Sequence, residues 1–297
     1  MRLLLFLLTN LLVVLTISLL VGVLTAMGLL PPDLPLLPLA MGCFLWGMAG
    51  AWLSLQFSAD SARRMMGVQL LDPEDQGHWL VNRIAALAQR AGLPMPQVGI
   101  YDSPEWNAFA TGPSPERALV AVSSGILTGM PEAELEAVLA HELSHVANGD
   151  MVTMTLLQGV VNAFVLFLAR VIVLLLPRSE RDDGRPAPLP TLLIWPLELL
   201  LGIAGSLVTA WFSRHREFRA DAGAAQLSSA AAMAGALARL GQVSGEVDDR
   251  DGGRLNSFKI AAADPWLSLF ASHPPLQARI QALQALAPAE SSGHWLR

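Results

Sequence analysis

Residues 131–149 read PEAELEAVLAHELSHVANG, and residues 150–176 directly after them read DMVTMTLLQGVVNAFVLFLARVIVLLL. The first stretch predicts a polar helix. Pro131 suits a first helical position, Glu132, Glu134 and Glu136 favour the positive helix start, and Gly149 suits the end. Three acids in the first turn and a half exclude a lipid span. The second stretch, from Met151 to Leu176, is apolar apart from Arg170 and a few uncharged polar residues. It exceeds the roughly 20 residues that cross a bilayer as helix. A water-exposed helix therefore feeds straight into a membrane helix, and the rest of the chain is read outward from that junction.

Three further apolar runs accompany it. Leu3 to Leu30 and Leu34 to Ala59 carry no charge, with Pro31, Pro32 and Asp33 as the break between them. The fourth runs from Pro190 to Phe212, interrupted by Glu198. The first lacks the short core and cleavage site of a signal peptide, so it reads as an uncleaved anchor. Of the 297 residues, 53% are hydrophobic and 15% charged, well below the charge of a soluble globule. The net charge is −6 and no basic run exceeds two residues, which excludes a nucleic-acid footprint. The single cysteine, Cys43, reads as a small buried hydrophobe.

Arg2, the pair Arg63 and Arg64, and the trio Arg214, Arg216 and Arg219 fall on one side if the chain crosses four times. The positive-inside rule then puts the N-terminus, residues 60–150 and the C-terminus in the cytoplasm. The loop 177–190 holds three arginines but also Glu180, Asp182 and Asp183, and is the weak point of that assignment. Arg170 and Glu198 fall at similar depth in antiparallel helices and are expected to pair, the alternative being that each reaches separately for the interface.

The soluble segments have their own pattern. Asp75 to Ala91 reads as an amphipathic helix ended by Gly92 and Pro94. Gln97–Tyr101 and Ala118–Ser123 read as strands, with a turn-rich Asn107–Gly112 between them; Ala118–Ser123 could offer an edge to an extended peptide. Arg214 to Gly241 reads as helix, 242–256 as a mobile loop, and a last amphipathic helix follows Pro274-Pro275.

The chemistry centres on His141-Glu142-Leu143-Ser144-His145. Positions i and i+4 of a helix share a face, so both imidazoles can reach one metal ion. Zinc suits two neutral imidazoles, a carboxylate and one open position. Glu142, beside the first imidazole, can take a proton from an activated water and pass it to a leaving amine. The candidate third ligand is Glu217, with Asp221 one turn later placed to bond a ligand imidazole. Two crossings separate His145 from Glu217, so both return to one face of the bilayer. Read alone, the charged cluster 213–221 is also consistent with a solvated helix at the membrane surface.

The ordered set closely resembles the HtpX family of bacterial inner-membrane zinc metalloproteases, grouped with the CAAX-prenyl endoproteases. It comprises two N-terminal membrane segments, Asn107–Gly112, His141–His145, the hydrophobic hairpin, Ser213–Asp221, and His273-Pro274-Pro275-Leu276 with Arg279-Ile280. The resemblance implies His141, His145 and Glu217 as ligands of one zinc ion per chain, and Glu142 as acid/base. Asp221, His273, Asn107 and Arg279 become outer-partner or substrate-cleft residues. It further implies a multi-pass protein of the bacterial inner membrane. Such a protein would cut unfolded or damaged membrane and cytosolic polypeptides from the cytoplasmic side, in stress response and quality control. The expected architecture is a mainly α polytopic membrane protein with a small α+β zincin-like cytoplasmic domain. Its parts are two membrane helices in 1–59, the first catalytic part in 60–150, a hairpin in 151–212 and the second catalytic part in 213–297. Two rivals stand beside it: a protease with its motif inside the membrane, which the acids of 132–136 oppose, and a membrane scaffold or transporter with a structural metal. His78, His215 and His294 read as surface or interfacial histidines.

Overall fold

A computed structural model describes residues 36–74, 77–176, 192–250 and 273–286, with the backbone alone for 244–250. The first apolar run, the loop 177–190, the segment 251–272 and His294 lie outside the described residues. The chain divides into two compact units, Met1–Ser54 with Thr153–Thr209 and Leu55–Val152 with Ala210–Arg297.

Apolar composition sets the first unit. The second apolar run is helix α1, Leu36–Gln56. The third is α6, Asp150–Leu175, and the fourth opens α7, Ile194–Leu227. Among the described residues these three helices are long and apolar enough to cross a membrane. Cys43 is buried with Leu36, Ala40, Phe167 and Val171, as a small hydrophobe would be. Arg170 Nη1 donates to Glu198 Oε1 at 2.7 Å and to the Leu166 carbonyl at 2.9 Å, so the two charges do pair. Breaking one partner leaves a lone charge, worth up to about 3 kcal/mol in a membrane helix. Arg170→Leu is thus expected to lower thermal stability in detergent more than the double variant Arg170→Leu/Glu198→Leu. Equal losses in both would show the pair to be idle.

The second unit is built on a four-stranded sheet. Helix α2, Ser58–Met66, leads into β1, Gln69–Leu70, and then α3, Trp79–Arg90. Helix α3 begins later than Asp75, and its apolar face buries Leu80, Ile84 and Leu87 completely. Each such burial stabilises by about 1.5–3 kcal/mol. Strands β2 (Gln97–Tyr101), β3 (Ala108–Thr111) and β4 (Leu119–Ser123) follow, and the sheet order is β1-β2-β4-β3. β2 and β4 are parallel; β3 and β4 are antiparallel. The period of two splits β4: Val120 and Val122 join the core under the helices, while Leu119 and Ala121 pack with Val68 and Tyr101 on the other face.

Two expectations are corrected by this sheet. Asn107–Gly112 is not a turn, because pairing of 108–111 with β4 overrides its weak local preference. The segment Ala118–Ser123 has no free edge, since β4 lies between β2 and β3; β3 is the outer strand on that side.

Helix α4, Ser124–Gly129, is capped by the Ser123 hydroxyl, which accepts from the Ile126 N–H at 3.2 Å. Helix α5, Glu132–Asn148, carries the HELSH sequence, with Pro131 as its cap residue rather than its first turn. The three acids meet arginines: Glu132 and Glu136 pair with Arg83, Glu136 also with Arg90, and Glu134 with Arg239. Gly149 ends the helix at φ +69°, a left-handed conformation that glycine adopts without strain. Its N–H turns back to the carbonyls of His145 and Val146, and α6 starts at the next residue.

Helix α7 runs unbroken for 34 residues from apolar run to charged cluster, so no boundary falls at Arg214. The break comes at Ser228-Ser229. Helix α8, Ala230–Arg250, then continues through 242–250, where a loop was expected. Gly241 and Gly245 cost helix stability but do not prohibit it. Helix α9, Leu276–Leu286, follows Pro274-Pro275 as anticipated.

Candidate metal centre

One helical turn separates His141 from His145, and it sets both rings on the same side of α5. The rings meet edge to face with their centroids 4.7 Å apart, and the two Nε2 atoms are 3.1 Å from each other. Glu217 enters from α7: its Oε1 is 3.4 Å from His145 Nε2 and its Oε2 is 3.6 Å from His141 Nε2. One ligand atom from each of these three residues lies within 4.8 Å of the others, and all three residues are buried.

Carboxylates stand behind both rings. His145 Nδ1 donates to Asp150 Oδ2 at 2.7 Å. His141 Nδ1 is 3.0 Å from Asp221 Oδ1, at ion-pair distance but off the axis of a hydrogen bond, so that nitrogen has no hydrogen-bond partner. Both carboxylates favour a proton on Nδ1, which leaves the two Nε2 lone pairs facing each other. Glu217 Oε1 is likewise buried with no hydrogen-bond partner. Two facing acceptors and an unpaired carboxylate oxygen repel unless a cation lies among them. The donor set of two nitrogens and one oxygen is one that zinc accepts.

The electrostatics agree. Burial lowers the His145 pKa, but the nearby Asp150 and Glu217 carboxylates outweigh it and raise the pKa to about 9. For His141 burial again opposes, and Asp221 and Glu217 again prevail, so its pKa is raised. Glu217 lies beyond the apolar stretch of α7. Burial would raise its pKa, yet the nearness of His141, His145 and His273 holds it well below the ordinary carboxylate range. The pocket attracts positive charge, whether proton or metal.

Residues 273 and 279 also reach these groups. Arg279, only 5% exposed, donates to both oxygens of Asp221, Nε at 2.7 Å and Nη2 at 2.6 Å. Its Nη1 is 3.4 Å from Glu217 Oε2. His273 Nδ1 bonds the same Glu217 oxygen at 2.9 Å while its side chain stays 64% exposed. Glu142 Oε2 accepts the Ala110 N–H of β3 at 2.9 Å. Thus His141, Glu142, His145, Glu217, Asp221, His273 and Arg279 all gather at this end of α5. Asn107 does not bond the cluster; it is exposed and its backbone ties to Ser123 through two hydrogen bonds. Asp150 is the residue that sequence reading passed over. It looked like the polar edge of an apolar run, and the only signal was an acid five residues beyond His145.

The approach of α5 to α7 depends on Gly223. A Cβ there would lie 2.5 Å from Ser144 Oγ and 2.9 Å from Ser144 Cβ. Ser144 Oγ is anchored to the Ala140 carbonyl at 2.7 Å, so it yields poorly. Gly223→Ala is expected to part the two helices at about 1–3 kcal/mol. Both the melting temperature and the metal affinity then fall. A variant with wild-type values for both would show that the helices have slack.

Comparison with known proteins came out as follows. The sequence profile of peptidase family M48 matches residues 74–287. Protease HtpX of Aeromonas hydrophila subsp. hydrophila is 44% identical over 292 residues, covering 95% of this chain and 99% of that protein. Protease HtpX of Haemophilus influenzae (strain PittGG) is 45% identical over 291 residues, covering 96% and 100%. A solved structure titled "Crystal Structure of S. mikatae Ste24p" matches with a TM-score of 0.59 at 22% identity, over 94% of this chain and 66% of that one. That last likeness is one of fold.

Proposed function

Because this chain belongs to peptidase family M48 and is a membrane metalloprotease, we propose that it is a zinc endopeptidase with His141, His145 and Glu217 as its metal ligands and Glu142 as its general base. The convergence of two Nε2 atoms and an unpaired buried Glu217 oxygen is the observation that carries this reading. Bound there, zinc supplies a Lewis acid that brings water's pKa towards neutral and polarises a carbonyl.

The chain's own residues do the rest. Glu142 receives a proton from the attacking water and returns it to the leaving amide nitrogen as the C–N bond breaks. Its bond to the Ala110 N–H holds the carboxylate beside β3. β3 is an outer strand, and an extended substrate adds along it by backbone pairing, which favours unfolded segments over folded ones. His273 reaches Glu217 from an exposed position, where it can donate to the developing oxyanion. Arg279 holds Asp221 against His141, and Asn107 opens the strand along which substrate would lie.

The cellular reading follows from the same resemblance. The domain is a zincin-like body formed by 60–150 and 213–297 on the cytoplasmic side of the bacterial inner membrane. Residues 1–59 and 151–212 anchor it by four crossings, and its substrates are damaged or misfolded membrane and cytosolic proteins in stress-related quality control. Metal analysis and cleavage of reduced, carboxymethylated lactalbumin test the core of this proposal. About one zinc per chain is expected, with hydrolysis abolished by a chelator and restored by zinc. Hydrolysis that persists in metal-free protein would refute it.

A further inference from the structure

Asp150 is fully buried, with none of its surface exposed, and both its oxygens have cationic or N–H partners. Oδ2 accepts from His145 Nδ1 at 2.7 Å, and Oδ1 accepts from Arg219 Nη2 at 2.9 Å. Asp150 is also the first residue of α6, directly after the left-handed Gly149 that ends α5. The left-handed Gly149 lies between the ring and the acid five residues downstream that bonds it. Arg219 comes from α7, half a turn beyond Glu217. The same arrangement backs the other imidazole: His141, Asp221 and Arg279 form a second ring–carboxylate–guanidinium chain.

We propose that Asp150 is a positioning residue for the metal centre: it holds the His145 ring so that Nε2 faces Glu217, and it does so from the first turn of the membrane-directed helix α6. A carboxylate on Nδ1 fixes the tautomer, strengthens Nε2 as a donor and stops the ring from rotating. A hydrogen bond from a fixed acceptor also spares the rotational entropy that the ring would lose on binding metal. An ordinary acid at a helix start is solvated and bonds its own first-turn amides. Full burial and a 2.7 Å bond to a ligand imidazole are unlike that.

The inference rests on His145 being a ligand, so the experiment separates the two. Full-length protein in detergent is titrated with zinc against a competing chromophoric chelator, and its cobalt form is examined by visible absorption. His145→Ala tests the ligand reading alone: wild-type zinc affinity in that variant would refute it. Asp150→Ala is expected to weaken zinc binding about 10–100-fold and to change the cobalt bands. Asp150→Asn keeps an oxygen that accepts the Nδ1 proton, so it should bind zinc more tightly than Asp150→Ala, less tightly than wild type, with near-native cobalt bands. Should the alanine variant not fold, the asparagine variant decides by itself against wild type. Ile84→Ala, a core change at a residue that makes no bond to the metal cluster, is expected to lose stability with zinc affinity unchanged. Wild-type affinity in the folded Asp150 variants, or an equal loss in Ile84→Ala, would overturn the positioning role while leaving the zinc site standing.

Discussion

Glu142→Gln keeps its metal and loses peptide hydrolysis by about 10²–10⁴-fold, the span over which positioned general acid–base groups act. The geometry makes this variant unusually clean. Glu142 Oε2 accepts the Ala110 N–H, and a glutamine oxygen accepts the same bond at the same reach. Strand β3 and helix α5 therefore keep their spacing. What disappears is the capacity to take up a proton, since an amide is not a base near neutral pH. The residue is not among the three whose atoms converge, so zinc content stays near one per chain. Turnover number should fall while KM for an unfolded substrate stays within about threefold, because in the proposed mechanism the carboxylate moves a proton and does not bind substrate. Substantial hydrolysis by Glu142→Gln would move the proton-transfer role to another residue, His273, which bonds Glu217, being the candidate.

Glu217→Ala strips the metal. An outer hydrogen-bond partner of a ligand is worth about 10–100-fold in affinity, and a direct ligand more than that. The substitution also unsettles the fold, because Glu217 is 1% exposed and faces four cationic or N–H groups. Loss of one member of a buried ion pair typically costs about 3–5 kcal/mol. Here the lower end applies, as Arg279 retains both bonds to Asp221. Glu217→Gln separates the two effects. It refills the space and offers an oxygen, so it should melt near wild type yet bind zinc weakly. A Glu217→Ala protein with full zinc occupancy under chelator competition would refute the third-ligand assignment.

How far the sequence announces this structure differs from element to element. Helix α5 is legible because its start, end and apolar face agree, and because two histidines at i and i+4 are chemically conspicuous. The membrane helices are legible from length and composition alone. Glu217 could be found because Asp221 repeats it one turn later. β3 could not: Ala-Phe-Ala-Thr has little strand character, and its conformation comes from pairing with β4, a contact no local pattern records. The continuity of α7 was hidden by a change in polarity at residue 213, which alters the helix's surroundings but not its backbone preference. Asp150 was hidden by its neighbours. Its bond to His145 spans the left-handed Gly149, and only the three-dimensional structure reveals that.

The separation along the chain between His145 and Glu217 bears on biosynthesis. A ribosome that has released only the first 216 residues has delivered two imidazoles and a base with no carboxylate to join them. His273 and Arg279 arrive later still. A truncated or stalled product is thus a lipid-anchored polypeptide without a complete blade, and the cell is shielded from a half-made protease by the order in which its parts are synthesised.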